Sequence, residues 1–524
     1  SDTPSQIKVC VWSGPEAEWE AAVKALDKVG DPVDLAPLTK GGKARFTETV
    51  VTKGRRGDDK NAYTIDSIEP PFKNPYKSWL RFGGFDLFSD GRAAVCTWSG
   101  DVWIVSGIND GLEKLTWKRY AAGLFQPLGL KIVDDVVYTL GRDGIMKLVD
   151  LNKDGEADLY ECFNNDFMVT AAFHEFIFDL HTDPDGNFYF IKGGPVRPGG
   201  SGWEKIVPHH GCIFKVAKDG SKLELVARGF RAPNGMCVGP KGEITAGDNE
   251  GTWTPVCPVN WIKKDGFYGV PEFAGKDPKT AVRDNPILWM PKNIDNSNGG
   301  QVWINGDKFG PLSGKLLHTS YGQSSLYELL YEDVGGEKQG GVVPVLKFDT
   351  GVCRARFYPE RNALFLAGLR GWQTNATRDA GFYRVRYTGA KSYLPTDLHV
   401  KPGAIQITFA QPLDKSYATD ADNYSLKQWN YRWTSSYGSP HFKVSDPKKT
   451  GEDDVEVESA TLSPDGKTVT LAVKDLKPVM QMKIAYNLKA ADGAPVRSNI
   501  HQTINVVGDM RAELHPGEFR IIKK

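Results

Sequence analysis

From about residue 80, apolar and polar residues alternate in short runs that are separated by turns carrying glycine. A period of two places successive side chains on opposite faces of a strand, so each group of runs predicts a small antiparallel sheet. Similar sheets repeated along a chain are typical of a β-propeller, and the self-similarity predicts about six blades. The repeats start at residues 85, 128, 178, 234, 314 and 354, with FDLFSDGRAAVCTWSGDVWIV and LGLKIVDDVVYTLGRDGIMKLVD as the clearest examples.

The pattern differs on both sides of these repeats. Residues 16–29 have the spacing of one short amphipathic helix, with Trp19, Val23 and Leu26 on one face. Residues 30–75 are rich in Lys, Gly, Asp and Pro, which predicts an extended arm laid over the propeller. Short alternating runs such as GAIQITFAQPL and MQMKIAYNL follow, and they predict an immunoglobulin-like β-sandwich. We therefore expect an all-β chain with an arm at 1–75, a propeller at 76–389, and a C-terminal sandwich with its tail at 390–524.

Charge and composition limit the class of partner. The chain has 65 Lys plus Arg and 65 Asp plus Glu without a run of like charge, so it lacks the basic footprint that nucleic acid or an anionic membrane requires. No stretch approaches the roughly 18 apolar residues of a membrane span, and the sequence begins at Ser1 rather than Met. We expect a soluble, processed chain that is secreted or periplasmic and acts on a small molecule or a glycan.

The seven cysteines indicate neither a zinc site nor bound haem. They are scattered, and neither a CxxC nor a CxxCH spacing occurs among them. Any electrons that the protein removes from a substrate would therefore leave to a separate cytochrome or another acceptor.

The segment DLNKDGEADLYE has the spacing of a calcium-binding loop. Gly155 stands at the sharp turn, and six oxygen-bearing residues occupy the ligand positions around it. We predict a structural calcium ion, with an acidic turn that binds no metal as the alternative. The predicted ligands are Asp150, Asn152, Asp154, Glu156, Asp158 and Glu161.

Five of the nine histidines fall in the central repeats. Loops between blades converge at the mouth of the central channel, so a shared site is expected there. His174 is a candidate general base, because a neutral imidazole can accept a hydroxyl proton near pH 7. His209 and His210 are candidates for a metal or for substrate, and His318, Tyr321 and Trp289 are candidates for the same wall. For each histidine the alternative is a hydrogen-bonded structural role, which we assign to His181.

Three segments resemble the PQQ-dependent soluble glucose and sorbosone dehydrogenases. The stretch from Phe173 to Phe190, with PDGNFYF, resembles the family segment that carries the catalytic histidine, which implies this role for His174. GFRAPNGMCVGPKGEITAGDNEGTWTP and NWIKKDGFYGVPEFAG resemble its cofactor and calcium segments. This implies that Arg231 contacts the cofactor and takes part in catalysis, and that calcium is bound by the backbone of Asn249, Gly251 and Thr252.

The motif CRARF resembles the paired arginines that hold the carboxylates of the quinone in this family, which implies that role for Arg354 and Arg356. Two arginines spaced by one residue point to the same face of a strand, as a multiply charged anion requires. From about 60 to 505 the chain also resembles secreted propeller proteins of planctomycetes and verrucomicrobia known as membrane-bound dehydrogenases. Two positions depart from the quinoprotein pattern, with Ala232 in place of Asn and Gly322 in place of Lys.

Three functions remain open. The first is a sugar or sugar-alcohol dehydrogenase, in which His174 takes the hydroxyl proton and PQQ takes the hydride. The second is a quinone-free carbohydrate-active lyase, hydrolase or oxidase that uses a transition metal held by the histidines. The third is a non-catalytic glycan-binding propeller, with sugar faces stacked on aromatic rings. The aromatic candidates are Trp253, Trp261, Trp289 and Trp372.

Overall fold

The computed structural model describes residues 9, 11–26, 28, 30 and 33–523. Six antiparallel four-stranded units form the blades of a propeller. Blade 1 consists of Phe82–Leu87, Ala93–Thr97, Val102–Ser106 and Leu115–Ala121. Blade 2 consists of Gly129–Val133, Val136–Gly141, Gly144–Val149 and Leu159–Asn164. Blade 3 consists of Ile177–Thr182, Phe188–Lys192, Cys212–Val216 and Leu223–Arg228. Blade 4 consists of Met236–Val238, Ile244–Gly247, Cys257–Trp261 and Leu288–Met290. Blade 5 consists of Asn298–Trp303, Leu316–Ser320, Ser325–Val334 and Glu337–Lys347. Blade 6 consists of Gly351–Tyr358, Ala363–Leu369, Ala380–Tyr387 and Tyr63–Ser67.

The blades close into a ring. The innermost strand of each blade contacts that of the next blade, and the sixth returns to the first. Tyr63–Ser67 pairs with Ala380–Tyr387, so a strand from the region assigned to the arm completes the last blade. Thr49–Thr52 adds a fifth strand to the outside of blade 1. The inner strands are buried on both faces because neighbouring blades cover them, as in Phe82–Leu87. The predicted all-β propeller of six blades is confirmed.

The C-terminal sandwich is an extension of blade 5. One of its sheets contains Pro395–Lys401, Ala404–Phe409, Thr468–Ala472 and Ser459–Leu462. The other sheet contains Tyr424–Trp429, Asp453–Val455, Val479–Lys489 and Pro495–Ile504. Gly340–Val342 of blade 5 pairs with His501–Thr503 of this sheet, so the two domains share one sheet of eight strands. A hairpin of Met510–His515 and Glu518–Lys523, preceded by Val506–Val507, ends the chain.

Helices are few and short. The predicted helix appears as a 3₁₀ turn at Glu16–Glu18 and an α-helix at Trp19–Leu26, while 27 and 29 lie outside the described residues. Its apolar face is not buried, since Trp19 and Val23 are 53% and 40% exposed. None of the helices in the described part of the chain has the length and apolar character of a membrane span. The remaining short helices are Ala36–Lys40, Pro271–Ala274, Gly310–Leu312, Pro359–Arg361, Lys415–Ala418 and Ala421–Asn423.

Two arginines of blade 6 connect four other blades at the centre of the ring. Arg354 donates to the backbone carbonyls of Gly83, Leu128 and Asn234 at 2.6–3.1 Å. Arg356 donates to carbonyls in blades 1, 2 and 3 at 2.6–3.1 Å, which belong to Phe85, Leu130 and Leu180. Buried carbonyls need donors, and these guanidinium groups supply donors to carbonyls of several blades at once.

Two buried carboxylates compensate the charge of these arginines. Asp179 lies 3.9 Å from Arg354 and 3.8 Å from Arg356, and Asp86 lies 4.0 Å from Arg356. Burial alone would raise the pKa of Asp86, but the charges of Lys131 and Arg356 lower it to about 2. The centre of the ring is therefore an ionised, hydrogen-bonded network.

Glu328 of blade 5 lacks such compensation. It is 1% exposed, and neither carboxylate oxygen has a hydrogen-bond partner among the described residues. Burial raises the pKa of Glu328 to about 8, although the charge of Lys315 opposes the shift. The side chain is therefore protonated in the folded protein at neutral pH.

Replacement of Arg356 by Met should lower the free energy of unfolding by about 3 to 5 kcal/mol, because it leaves buried carboxylates and carbonyls without their partner. Chemical denaturation measures the loss. Arg378→Met is the control, since Arg378 pairs with Glu69 where both side chains are partly exposed. Equal losses in the two variants would contradict a special role for the central arginine.

Glu328 predicts a pH-dependent stability. The folded protein keeps a proton that the unfolded chain releases, so the free energy of unfolding should fall as pH rises from the ordinary value of 4.5 to about 8. The slope contributed by this group is up to about 1.4 kcal/mol per pH unit. Glu328→Gln should remove this contribution in denaturation curves recorded across the range, whereas Glu360→Gln at the surface should not. A slope unchanged in Glu328→Gln would contradict the assignment.

Candidate functional site

Loops from several blades enclose one cavity of about 460 Å³ at the mouth of the central channel. Its walls are largely aromatic and its floor carries polar side chains. Phe173 and Trp372 stand at the rim, 58% and 49% exposed, and their rings lie 6.2 Å apart. The main lining side chains are Arg81, Trp98, Phe173, His174, Phe176, Arg197, Arg231, Asn234, Asn249, Glu250, Asn296, Tyr321, Trp372 and Tyr437.

His174 is positioned by a tight turn between blades 2 and 3. Glu175 accepts a hydrogen bond from the backbone N–H of Thr170 at 3.0 Å, and Arg142 donates to the carbonyl of Ala172 at 2.9 Å. These contacts fix both sides of the turn, so the imidazole is directed into the cavity. Its ring centroid lies 5.5 Å from that of Phe176, and Nδ1 has no hydrogen-bond partner among the described residues.

The electrostatic environment keeps His174 neutral. Burial and the charge of Arg231 lower the pKa of His174 to about 4. Arg231 itself is 4% exposed, and burial lowers its pKa as well. A neutral imidazole can accept a proton from a bound ligand. Nδ1 of His174 is enclosed by protein, so Nε2 is the ring nitrogen available to the ligand.

A layer of paired charges lies beside the His174 turn. Glu175 contacts Lys192 at 2.5 Å and His210 at 3.1 Å, and all three side chains are fully buried. Burial alone would raise the pKa of Glu175, but the hydrogen bond from His210 and the charge of Lys192 lower it to about 2. His210 therefore supports the turn and does not line the cavity.

The histidines do not converge on a metal. His209 accepts a hydrogen bond from Met168 N at 3.1 Å, and buried His318 lies 2.7 Å from Asp295, so both are engaged away from the cavity. Residues 33–523 and the described positions before them contain no group of three or more His, Cys, Asp or Glu side chains that could hold a metal ion. The predicted transition-metal site is therefore not formed by these residues.

The sandwich contributes to the wall of the cavity. Its Tyr437 ring lies 5.4 Å from the guanidinium of Arg231, and Gly438 N donates to the Gly251 carbonyl at 3.2 Å. The same carbonyl accepts from Thr254 N at 2.9 Å. A Cβ on Gly251 would lie 2.0 Å from Nε of Arg231, so only glycine leaves room for this packing.

The residues that the resemblance assigns to the quinone and its calcium do not all lie at the cavity. Arg231 and Asn249 line the cavity, whereas Arg354 and Arg356 do not and instead connect the blades. The Gly251 carbonyl, one of the three backbone groups implied to bind calcium, already accepts two N–H groups. The paired arginines implied to hold the quinone are therefore not at this cavity.

The two positions that depart from the family pattern, Ala232 and Gly322, lie in or next to the lining of the cavity. Ala232 lines the cavity without offering a polar group. At Gly322 a Cβ would lie 2.1 Å from Oδ1 of Asn296, which lines the same cavity. A lysine could not replace this glycine without displacing Asn296.

The acidic loop at 150–161 is held by protein contacts. Glu156 accepts hydrogen bonds from the backbone of Arg45 and Phe46 and from Arg45 Nε at 2.7 Å. Glu161 pairs with Lys147 at 3.1 Å on the outside of blade 2. Asp150 and Asp154 accept N–H groups of the loop itself. Among the described residues this loop forms no group of three or more metal-binding side chains, and it anchors the N-terminal arm through Glu156.

Other predicted residues are in the core. Trp289 is 2% exposed beneath Arg283, Trp253 packs on Trp433, and Trp261 packs on Trp303. Tyr321 does line the cavity, where its hydroxyl donates to the carbonyl of Trp372 at 3.2 Å. The six cysteines in the described residues form no disulfide, and Cys10 lies outside them.

The sequence analysis missed several lining residues. Arg81 and Tyr437 belong to no motif quoted above, whereas Trp98 and Glu250 lie within quoted segments but were not proposed as site residues. Arg81 lies in SWLRFGG just before the first repeat, where an arginine in an apolar run was the available signal.

Solved structures include proteins that are similar to this chain. No protein-family model and no curated protein sequence matches the chain. Among solved structures, the PQQ-bound aldose sugar dehydrogenase of Streptomyces coelicolor has a TM-score of 0.45 at 13% identity, with 66% of this chain and 99% of that chain covered. The soluble aldose sugar dehydrogenase of Escherichia coli, in its apo form, has a TM-score of 0.43 at 13% identity, with 62% and 99% covered.

A gluconolactonase from Xanthomonas campestris is also similar, with a TM-score of 0.39 at 13% identity and coverage of 66% and 99%. Sugar dehydrogenases and a lactonase are thus both among the structural neighbours. The narrower resemblance to planctomycete and verrucomicrobial propellers stays a prediction. Function has to be argued from the residues of this chain.

The acidic loop predicts insensitivity to calcium. Because Lys147 pairs with Glu161, the last of the predicted ligands, calcium added after EDTA treatment should leave the thermal midpoint unchanged. Glu156→Gln should lower the midpoint in both conditions, because it weakens the contacts that hold the arm. Glu113→Gln, at a surface pair with Lys53, is the control. A midpoint that rises with calcium and loses this response in Glu161→Gln would restore the calcium site.

Proposed function

We propose that the protein is a carbohydrate-active oxidoreductase that oxidises a hydroxyl group of a sugar or sugar-derived alcohol in this cavity. The observation that carries the proposal is a neutral, unpaired imidazole placed in an aromatic-walled cavity of about 460 Å³. Aromatic faces suit the C–H faces of sugar rings, and the cavity volume falls within the range of small-molecule sites. The sugar dehydrogenases among the structural neighbours are consistent with this choice.

In this mechanism His174 acts as general base. Oxidation of an alcohol to a carbonyl breaks one O–H and one C–H bond, and the imidazole takes the proton from oxygen. The hydrogen on carbon leaves with two electrons to a separate hydride acceptor. Trp98 and Trp372 orient the sugar ring, since their rings lie 6.4 Å apart and Trp372 lies at the same distance from His174.

The PQQ implied by the resemblance has no role in this mechanism. Two of its three implied side-chain partners, Arg354 and Arg356, donate to backbone carbonyls at the centre of the ring. The calcium expected beside it would compete with Thr254 and Gly438 for the Gly251 carbonyl. We infer no step through the quinone.

A glycan-binding protein without catalysis is the second candidate. The exposed rim formed by Phe173 and Trp372 favours it, because exposed aromatic rings at the edge of a cavity bind sugars without any chemistry. The two functions differ in whether His174 is needed for turnover or only contributes to the wall.

Replacement of His174 by Ala should reduce kcat of sugar-dependent dye reduction by about 10²- to 10⁴-fold, with a smaller change in KM, because the general base is lost. In the wild type, kcat/KM should fall as pH decreases through about 4, where the imidazole of His174 becomes protonated, and stay level above it. Steady-state assays over a panel of aldoses, alditols and sugar acids measure both effects.

His209→Ala is the matched control, since His209 is a neighbouring histidine that does not line the cavity. It should leave kcat and the pH profile unchanged. Turnover that survives in His174→Ala would overturn the role of this residue. Sugar binding by calorimetry without turnover in the wild type would favour the glycan-binding function.

A further inference from the structure

Arg81 is a buried cation without a partner. Its side chain belongs to a residue that is 7% exposed, and the guanidinium is clamped between the rings of Trp79 and Trp98, with 3.7 and 3.8 Å from Cζ to the ring centroids. Nε has no hydrogen-bond partner, and no carboxylate among the described residues forms an ion pair with the group. Asp379 acts on it through space, but the Asp379 carboxylate accepts its hydrogen bond from Trp79 Nε1 at 3.0 Å.

A second unpaired guanidinium faces the same cavity. Nε of Arg231 also lacks a partner, and the side chain donates only to the carbonyl of Gly200. Asp248 is the carboxylate that acts most strongly on Arg231 through space, but its hydrogen bonds come from three backbone N–H groups, those of Arg231, Ala232 and Asn249. Glu250, the acidic side chain in the lining, lies 3.5 Å from Lys292. The cavity therefore carries an excess of positive charge.

Such charges are costly unless something compensates them. An unpaired ion taken out of water destabilises the folded protein, and most buried charges are therefore paired. Elsewhere in the described chain, buried arginines donate to protein oxygens even where they form no ion pair, as Arg142 and Arg283 do. Arg81 is different, since no hydrogen bond joins its guanidinium to a described residue, and this indicates a compensating group that arrives with the ligand.

The geometry of Arg81 favours a carboxylate. Two aromatic rings hold the guanidinium flat, so its N–H groups point along one plane, and a planar carboxylate accepts two parallel hydrogen bonds from such an edge. The adjoining wall runs from Trp98 through Trp372 to His174, with ring separations of 6.4 Å at each step. A sugar ring lying along this wall would present its carboxylate to Arg81 and its hydroxyls to His174.

We propose that the ligand of this cavity is an acidic sugar, a uronate or a related sugar acid, and that Arg81 binds its carboxylate. The inference rests on the proposed function and names its substrate class. Arg81 is the residue that distinguishes the acid from the neutral sugar, while His174 acts on the hydroxyl. A bound carboxylate also opposes the charge of Arg231, which in the free protein acts on the imidazole of His174.

Calorimetric titration with galacturonate and with galactose tests this directly, because the two sugars differ only in the carboxylate at one carbon. The wild type should bind galacturonate about 10- to 100-fold more tightly, as expected for hydrogen bonds to a charged group. Glucuronate and glucose form a second matched pair. In Arg81→Met the preference for the acid should disappear while the affinity for the neutral sugar stays the same.

Stability supplies a readout that a structural arginine would not give. Methionine keeps an apolar stem between Trp79 and Trp98 and removes a charge that has no partner, so Arg81→Met should keep or raise the thermal midpoint of the unliganded protein. Arg92→Met is the control, because Arg92 also stacks on an aromatic ring, Phe88, and pairs with Asp90 at the surface. It should alter neither the sugar preference nor the midpoint appreciably.

Three results would overturn the inference while leaving the proposed function intact. The first is equal affinity of the wild type for the acid and neutral sugars. The second is a lower midpoint in Arg81→Met with an unchanged sugar preference, which marks a structural arginine. The third is binding of PQQ, followed by its absorbance, that is lost in Arg81→Met while galacturonate binding persists. Failure of the wild type to bind any sugar would overturn the proposed function itself, and the inference with it.

Discussion

The propeller depends on two guanidinium groups at its centre. The inner strands of a closed ring carry backbone carbonyls near the axis, and these carbonyls need hydrogen-bond donors. Arg354 and Arg356 reach from blade 6 to carbonyls of blades 1, 2, 3 and the segment entering blade 4, and Asp86 and Asp179 balance their charge. Five blades are thereby connected through two side chains. Because both arginines are hydrogen-bonded at the centre of the ring, neither lines the cavity at the channel mouth, and the fold thereby limits what the site can bind.

The sandwich shares both the fold and the site with the propeller. Its sheet continues blade 5 through hydrogen bonds between Gly340–Val342 and His501–Thr503. Its loop then crosses to blade 4, where Trp253 N donates to Thr434 O at 3.0 Å and Trp433 Nε1 donates to Gly269 O at 2.9 Å. These contacts bring Tyr437 over Arg231. The sandwich is thus part of the wall of the cavity, and its removal would open the site on the side of blade 4.

Charge is distributed unevenly between the cavity and its support. The Glu175, Lys192 and His210 group beside the His174 turn is paired and fully buried, so it fixes the backbone that carries the imidazole. The groups that face the cavity, namely His174, Arg81 and Arg231, each have an unpaired nitrogen. A buried layer of compensated charge behind a surface of uncompensated charge suits a binding site, because stability lost at the surface is supplied by the layer behind it.

The sequence by itself determined the class of the fold. Alternation with period two and repeated glycine turns are local properties, so six blades and the sandwich could be read without knowing any contact. It also indicated His174 and Arg231, through segments that resemble a known family. Tertiary structure decided the partners. Arg354 and Arg356 could serve a ligand or the ring, and only the closure of the ring shows that carbonyls from distant blades occupy them. The partners of Glu156 and the approach of Tyr437 to Arg231 likewise join positions far apart in sequence. Spacing defines which side chains share a strand face, whereas the compensation of a buried charge depends on long-range packing that spacing does not encode.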